Sequence, residues 1–229
     1  LQSREERQPI YDQIQEIWAD ELPVIPIAYT FRPWFMTEDL GGFDPVRTTS
    51  NGVYDWYFEG QEGGTLRMSY NLDPVKFYPY WGNIGANMFA YDVYERLVDF
   101  DADYNLKPRL ADSWEVSDDG LTFTFHLNEN VLWHDGVPFT AHDVVHTYEA
   151  FMDKETAVTV YTRFNDVLSH VEAPDDYTFV AHLKTYAAGV WGNIFASGLI
   201  APKHLMEDIP RSEWQFSDLA NKLPIGTGP

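Results

Sequence analysis

The sequence predicts a mixed α/β protein. Two stretches alternate apolar and polar residues with period 2, the signature of half-buried strands: Leu121, Phe123, Phe125 and Leu127, then Tyr177, Phe179, Ala181 and Leu183. Between and before them lie stretches with helical spacing, at residues 3–22 and 140–151. At 229 residues the chain is long enough for a substantial core.

The first helical pattern is carried by Ile10, Tyr11, Ile14, Ile17, Trp18 and Leu22. Ser3 and Glu6 have capping-box spacing. Pro9 argues against so early a start, because it lacks an N–H and its ring crowds the preceding turn. The expectation is a helix from near Gln8, or a distorted first turn. Val24 to Tyr29 reads as a strand placed by Pro23 and Pro26 near an edge. A loop follows, broken by Gly41-Gly42 and Asp44-Pro45, and then the short apolar run Asp55 to Phe58.

Residues 60–64, within Glu59-Gly60-Gln61-Glu62-Gly63-Gly64, are the most linker-like in the chain. Thr65 to Tyr70 reads as a strand, Asn71 to Pro74 as a turn, and 77–89 as an aromatic loop rich in Gly and Asn. Tyr91 to Leu97 reads as a short helix and Val98 to Phe100 as a strand.

Asp119-Gly120 predicts a hairpin between Ser113–Ser117 and the first alternating strand. His134-Asp135-Gly136 is a second turn. Thr140 then caps a helix, with Asp143 at the capping-box position and Val144, Tyr148 and Phe151 on its buried face. A helical pattern spans Glu155 to Leu168. A second hairpin turns at Pro174-Asp175-Asp176, and another helix covers Ala187 to Ser197. No internal repeat is present.

The formal net charge is −21, which argues against nucleic acid and anionic membranes, since phosphate binding needs clustered Lys and Arg. The 14 Tyr, 15 Phe and 8 Trp separate this acidic chain from disordered ones. With no Cys, disulfides and thiolate metal sites are excluded. No apolar run approaches the roughly 18 residues of a membrane span. The chain opens LQSREERQ, without the apolar core of a signal peptide, so an exported parent would begin elsewhere.

His142 and His146 stand at i and i+4, the spacing by which one helix face holds a metal. The metalloprotease pattern needs Glu after the first His, and Asp143 is one methylene shorter. The competing reading is an exposed N-terminal turn with a capping Asp. Asp118-Asp119 and Asp175-Asp176 fit turn residues bonding their own backbone. Gly226-Thr227-Gly228 is too short for a phosphate loop and no Lys follows it. The loop bearing Trp81, Asn83, Asn87 and Met88 reads equally as core or as a ligand cleft of aromatic faces and a few polar groups. Tyr29 to Met36, with Phe31 and Arg32, is a second candidate of that kind.

Ala111-Asp112-Ser113-Trp114, Asp119-Gly120 and Phe123 to Leu127 resemble, in order, a signature of the extracellular solute-binding proteins of the oligopeptide, dipeptide and nickel ABC-transporter class, family 5. Trp133-His134-Asp135-Gly136 and Pro138 to Val144 continue it. Leu72-Asp73-Pro74, Tyr94 to Leu97, Ala201 to His204 and Gly226 to Pro229 fit as well. Asp20 to Ile27 and Asp55 to Phe58 are similar to that family's C-terminal end, yet here they come first.

The resemblance implies a periplasmic-binding-protein-like lobe: a mixed β-sheet flanked by helices, with an inserted α+β subdomain near 96–185. It further implies a circular permutation. Residues 1–59 would complete lobe one, 60–64 would be the linker, 65–229 would be the family's N-terminal portion, and the second lobe would be absent. Such an order arises by engineering, by natural rearrangement or from a tandem fusion; domain termini often lie close together, which makes permutation feasible.

The implied function is a non-enzymatic binding module for peptides, or for oligosaccharides as in some relatives, that binds weakly or not at all alone. A zinc hydrolase through His142 and His146 is the remote alternative. The implied ligand residues are Trp81, Asn83, Asn87, Met88, Tyr29, Phe31 and Arg32. No cofactor is expected. The parent would be extracytoplasmic and would dock an ABC permease.

Overall fold

The computed structural model describes residues 4–23, 36–42, 56–62, 65, 67, 90–101, 103–222 and 224–228. The chain divides into two compact units, Leu1–Glu38 and Asp39–Pro229.

The first unit contains helix α1, Arg4–Glu21. It starts earlier than Pro9 suggests and runs through it. Pro9 is the sixth residue of the helix, past the first turn, so its missing N–H removes one intrahelical bond that the rest of the helix has to outweigh. The stripe Ile10, Tyr11, Ile14, Ile17, Trp18 and Leu22 is exposed. Leu22, at φ 40°, ends the helix while its N–H still reaches the Trp18 carbonyl at 3.1 Å. The expected strand at 24–29, and the expected strand, turn and aromatic loop at 65–89, lie outside the described residues, apart from Thr65 and Arg67.

In the second unit, β1 (Leu40–Gly41) pairs antiparallel with β2 (Tyr57–Phe58). A Cβ on Gly41 would stand 2.4 Å from the outer end of the Tyr57 ring, so the exposed Tyr57 side chain lies across the glycine and would have to swing aside for a larger residue. Next come β3 (Val98–Phe100) and β4 (Leu106–Pro108), a two-stranded antiparallel ribbon.

The centre is a four-stranded antiparallel sheet built from β5 (Ala111–Val116), β6 (Thr122–Leu127), β7 (Leu168–Asp175) and β8 (Thr178–Leu183), in the order β5-β6-β8-β7. Asp119-Gly120 makes the first turn as expected. Gly120 has φ 69°, which glycine adopts without steric cost. The Asp119 carboxylate accepts the Ser117 hydroxyl at 2.6 Å and the Leu121 N–H at 2.9 Å. The second hairpin turns at Asp176-Tyr177, one residue later than the sequence suggests, because Asp175 stays in the strand and accepts the Tyr177 N–H at 2.9 Å. Among the described residues every strand pairing is antiparallel, so they contain no mixed sheet.

Helix α2 (Ala141–Phe151) covers the sheet with Val144, Tyr148 and Phe151 fully buried, as its spacing predicts. The Tyr148 ring lies 5.2 Å from Phe179 and 5.3 Å from Phe164, both near edge-to-face, a favoured aromatic geometry.

Three helical expectations are corrected. The pattern over 91–97 forms only one helical turn, at 90–93. The carbonyls of Glu95, Arg96 and Leu97 instead accept the N–H groups of Ile200, Leu110 and Ala111. The pattern over 155–168 splits into a 3₁₀ turn, Lys154–Thr156, and helix α3, Tyr161–Val167. Ala157 breaks it at φ 54°, and the chain then buries Val158 and Val160, a spacing of two that one helix face cannot serve. The pattern over 187–197 becomes a wide π turn, Trp191–Phe195, closed by Ala196 N–H to the Trp191 carbonyl at 2.7 Å. That width sets Trp191 and Phe195 over Phe123 and Phe125 at 4.7–6.1 Å between ring centres. Short helices α4 (Lys203–Met206) and α5 (Asp218–Asn221) flank a 3₁₀ segment, Arg211–Phe216.

Adjacent positions on β6 should respond oppositely. Phe125→Ala is expected to cost about 3–5 kcal/mol in urea unfolding, because it empties the aromatic centre. His126→Ala, on the solvent face of the same strand, is expected to change stability by less than about 0.5 kcal/mol. Comparable losses at both positions would refute this two-faced reading.

Candidate functional site

All seven sequence-predicted ligand residues (Tyr29, Phe31, Arg32, Trp81, Asn83, Asn87 and Met88) lie outside the described residues. The polar chemistry that is described gathers in three places.

The first is a buried ion cluster between the 90–93 turn and the β3–β4 ribbon. Arg96 Nη2 donates to Asp99 Oδ2 at 2.7 Å, and Arg109 Nη2 lies 3.4 Å from the same oxygen. Asp99 Oδ1 accepts the Phe100 N–H at 2.8 Å. Burial alone would push the Asp99 carboxyl up; the Arg96 guanidinium, the Phe100 N–H and Arg109 together hold it below its ordinary value. Arg96 also sits 5.2 Å over the Tyr91 ring. Next to this cluster, burial pushes the Glu95 carboxyl up, against the opposing pull of the Thr227 hydroxyl, Arg109, Arg96 and His134.

Thr227 belongs to the second place, a strap at 224–228 lying against the His134–Gly136 turn. His134 N–H donates to the Gly226 carbonyl at 3.0 Å, and Gly228 N–H donates to the Val93 carbonyl at 2.9 Å. A Cβ on Gly226 would stand 1.9 Å from the Val93 oxygen, so only glycine allows this approach. On the far side of the turn, Asp135 Oδ2 lies 2.8 Å from His204 Nε2. Burial would raise the Asp135 carboxyl; the hydrogen bond from His204 and the Val137 N–H bring it below its ordinary value.

The third is the start of α2. Thr140 and Asp143 form the expected capping arrangement, with Thr140 N–H donating to Asp143 Oδ2 at 2.9 Å. Asp143 Oδ1 also accepts the Lys203 N–H at 2.8 Å, so one carboxylate serves the starts of both α2 and α4. Burial raises its pKa, and the two backbone bonds oppose the rise.

The two histidines of the metal reading are engaged separately. His142 Nε2 lies 3.2 Å from Asp176 Oδ1 at the hairpin turn. His146 packs on Trp214 with ring centres 5.1 Å apart, and its Nε2 is buried without a hydrogen-bond partner. Burial, and then the charges of Arg211 and Lys203, push the His146 pKa down to about 4. Among the described residues, no group of three or more His, Asp or Glu is arranged to hold a metal ion. An open groove of about 500 Å³ runs past His126, Glu129, Asp175, Asp176 and Tyr177. It is shallow and polar, unlike the enclosed apolar pockets that hold small ligands.

These features sit on a recognisable frame. Residues 105–229 match the family model of the bacterial extracellular solute-binding proteins, family 5 (middle). The chain belongs to that family. As a family 5 protein it is 29% identical over 170 residues to the oligopeptide-binding protein AppA of Bacillus subtilis, covering 74% of this chain and 31% of AppA. The structure of B. subtilis AppA in complex with a nonapeptide superposes with a TM-score of 0.58 at 30% identity, covering 62% of this chain and 29% of that one. A periplasmic oligopeptide-binding protein from Thermotoga maritima with mannohexaose bound gives a TM-score of 0.52 at 29% identity, covering 60% and 25%.

The chain thus spans about a third of the length of the curated relatives it matches and corresponds to part of the family 5 fold. The family consists of solute-binding proteins, not enzymes. No described helix is long and apolar enough to cross a membrane.

Sequence reasoning missed the Glu95–Arg96–Asp99–Arg109 cluster. Its signal was a charged residue, Asp99, enclosed between the apolar Val98 and Phe100 within a short strand. The His134 contacts with the strap join residues more than ninety positions apart, and no local pattern announces them.

His146 has a pH consequence. Its folded-state pKa of about 4 lies below the ordinary 6.5, so the unfolded chain takes up the proton first. The buried neutral ring leaves stability intact above about pH 6.5 and erodes it as pH falls from there to about 4. Histidine NMR should place His146 near the acid end of that window. His146→Phe should flatten the acid slope of the urea midpoint, and an unchanged slope would refute the assignment.

Proposed function

We propose that this chain is one lobe of a family 5 solute-binding protein whose parent takes peptides outside the cytoplasm and delivers them to an ABC permease. The observation that carries the reading is the family match over 105–229, together with relatives named for oligopeptide binding, including one solved with a nonapeptide. In this reading residues 1–59 complete the lobe in circularly permuted order. Residues 60–64 join them to 65–229, and an α+β subdomain occupies about 96–185. The ligand-facing residues are Trp81, Asn83, Asn87, Met88, Tyr29, Phe31 and Arg32.

The lobe alone binds weakly or not at all. A cleft that closes between two lobes gains affinity from enclosing and desolvating its ligand, and one wall supplies only part of that. A second reading, an oligosaccharide ligand, is favoured by the mannohexaose-bound relative and by the high Trp and Tyr content, which suits stacking on sugar rings.

Calorimetry with a nonapeptide library and with mannohexaose tests both readings. The expected result is no saturable heat with either at micromolar ligand; tight binding of either by this chain alone overturns the weak-lobe proposal and names the ligand class. The permutation is tested by deleting residues 1–59. Loss of the segment that completes the lobe lowers the melting temperature of the remainder, whereas an unchanged melting temperature means that the two segments fold independently.

A further inference from the structure

His134 touches the 224–228 strap with both ring nitrogens. The Gly226 N–H lies 3.3 Å from Nδ1, and Nε2 lies 2.7 Å from the Gly228 carbonyl oxygen. A backbone N–H only donates and a carbonyl only accepts. The ring must therefore accept at Nδ1 and donate at Nε2. That is the neutral imidazole with its proton on Nε2, set by two backbone partners. A protonated ring donates at both nitrogens. It keeps the Gly228 carbonyl but faces the Gly226 N–H donor to donor.

We propose that His134 is a proton-operated clasp on the 224–228 strap: neutral, it fastens both glycines, and protonated, it releases the Gly226 amide. The side chain is exposed, so solvent protons reach it without local unfolding. The strap is also held from the Val93 carbonyl and from Glu95 through Thr227. Protonation therefore removes one anchor at the middle of a segment that is also held by the His134 N–H on the Gly226 carbonyl, and leaves the second unit folded.

The neighbouring charges define the setting of the clasp. The charged groups on the 90–97 side are the Glu95 carboxylate, which interacts with His134, and Arg96 and Arg109, which act on that same carboxylate. On the turn itself, Asp135 is committed to His204 of α4. Protonation of His204 strengthens that pair, because an imidazolium still donates to a carboxylate. Acid thus loosens the strap side of the His134–Gly136 turn and tightens its α4 side. The clasp does not depend on which ligand the parent carries, or on the permuted order.

The test is ¹⁵N NMR on the full chain from pH 8 to pH 5, with amide exchange at Gly226 corrected for its intrinsic pH dependence. At pH 8 the His134 ring should show the Nε2–H tautomer. Gly226 protection should fall about tenfold as His134 titrates, the size of one hydrogen bond. His134→Gln presents a donor and an acceptor on one non-titrating amide, so Gly226 protection in that variant should lose its pH dependence. An Nδ1–H tautomer, or Gly226 protection that stays flat through the His134 titration, overturns the proposal. If the variant does not fold, the titration of the unaltered chain decides alone.

Discussion

The second unit depends on β6 being paired on both edges and buried on one face. β5 and β8 take its hydrogen bonds on either side. Phe123, Phe125 and Leu127 all point to one side, where they must be covered. Covering them fixes the placement of the π turn, through Trp191 and Phe195, and of Phe179 on β8, against which α2 lays Tyr148. Because the strand period is 2, a one-residue slip would put His126 and Thr124 into this aromatic cluster and expose the phenylalanines. The register is therefore set by burial, and the Asp119-Gly120 turn agrees with it.

Around this apolar centre the chain has to end strands and start helices without leaving backbone groups unpaired. Two buried carboxylates do much of that work. Asp143 accepts N–H groups from the starts of α2 and α4, and Asp99 joins the two arginines and the Phe100 N–H. Buried charges of this kind add little net stability, since desolvation offsets most of the attraction. Losing one partner, however, strands an unpaired charge at a cost of about 3–5 kcal/mol. They act as registration points: a misplaced α4 would leave half of the Asp143 carboxylate without a donor.

Local signals were legible and long-range ones were not. The Asp119-Gly120 hairpin and the Thr140–Asp143 cap are each set within a few residues, and the buried face of α2 follows from its own spacing, so the sequence alone predicts them. The helix expected at 91–97 fails because three of its carbonyls are claimed by residues 110, 111 and 200. The helix expected at 187–197 widens because two aromatics 66–72 positions upstream need covering. Helical periodicity in these segments reports burial on one side, which a π turn or a broken helix satisfies as well as an α-helix. For the site, the sequence singled out Trp133-His134-Asp135-Gly136 and Gly226-Thr227-Gly228 as separate motifs. It carried no indication that one holds the other.

That contact changes how the two motifs are understood. Gly226 cannot carry a side chain because the Val93 carbonyl occupies its place, and His134 reads the backbone on both sides of Thr227. Gly136, at φ 87°, closes the turn that presents the imidazole, with its N–H on the Trp133 carbonyl. Trp133 is buried behind it, its ring 6.3 Å from His204. The turn is thus anchored inward by an indole, sideways by the Asp135–His204 pair and outward by a titratable ring on the strap. Only the last of these three anchors requires a neutral imidazole, so acid acts on the strap while the turn that carries it stays fixed.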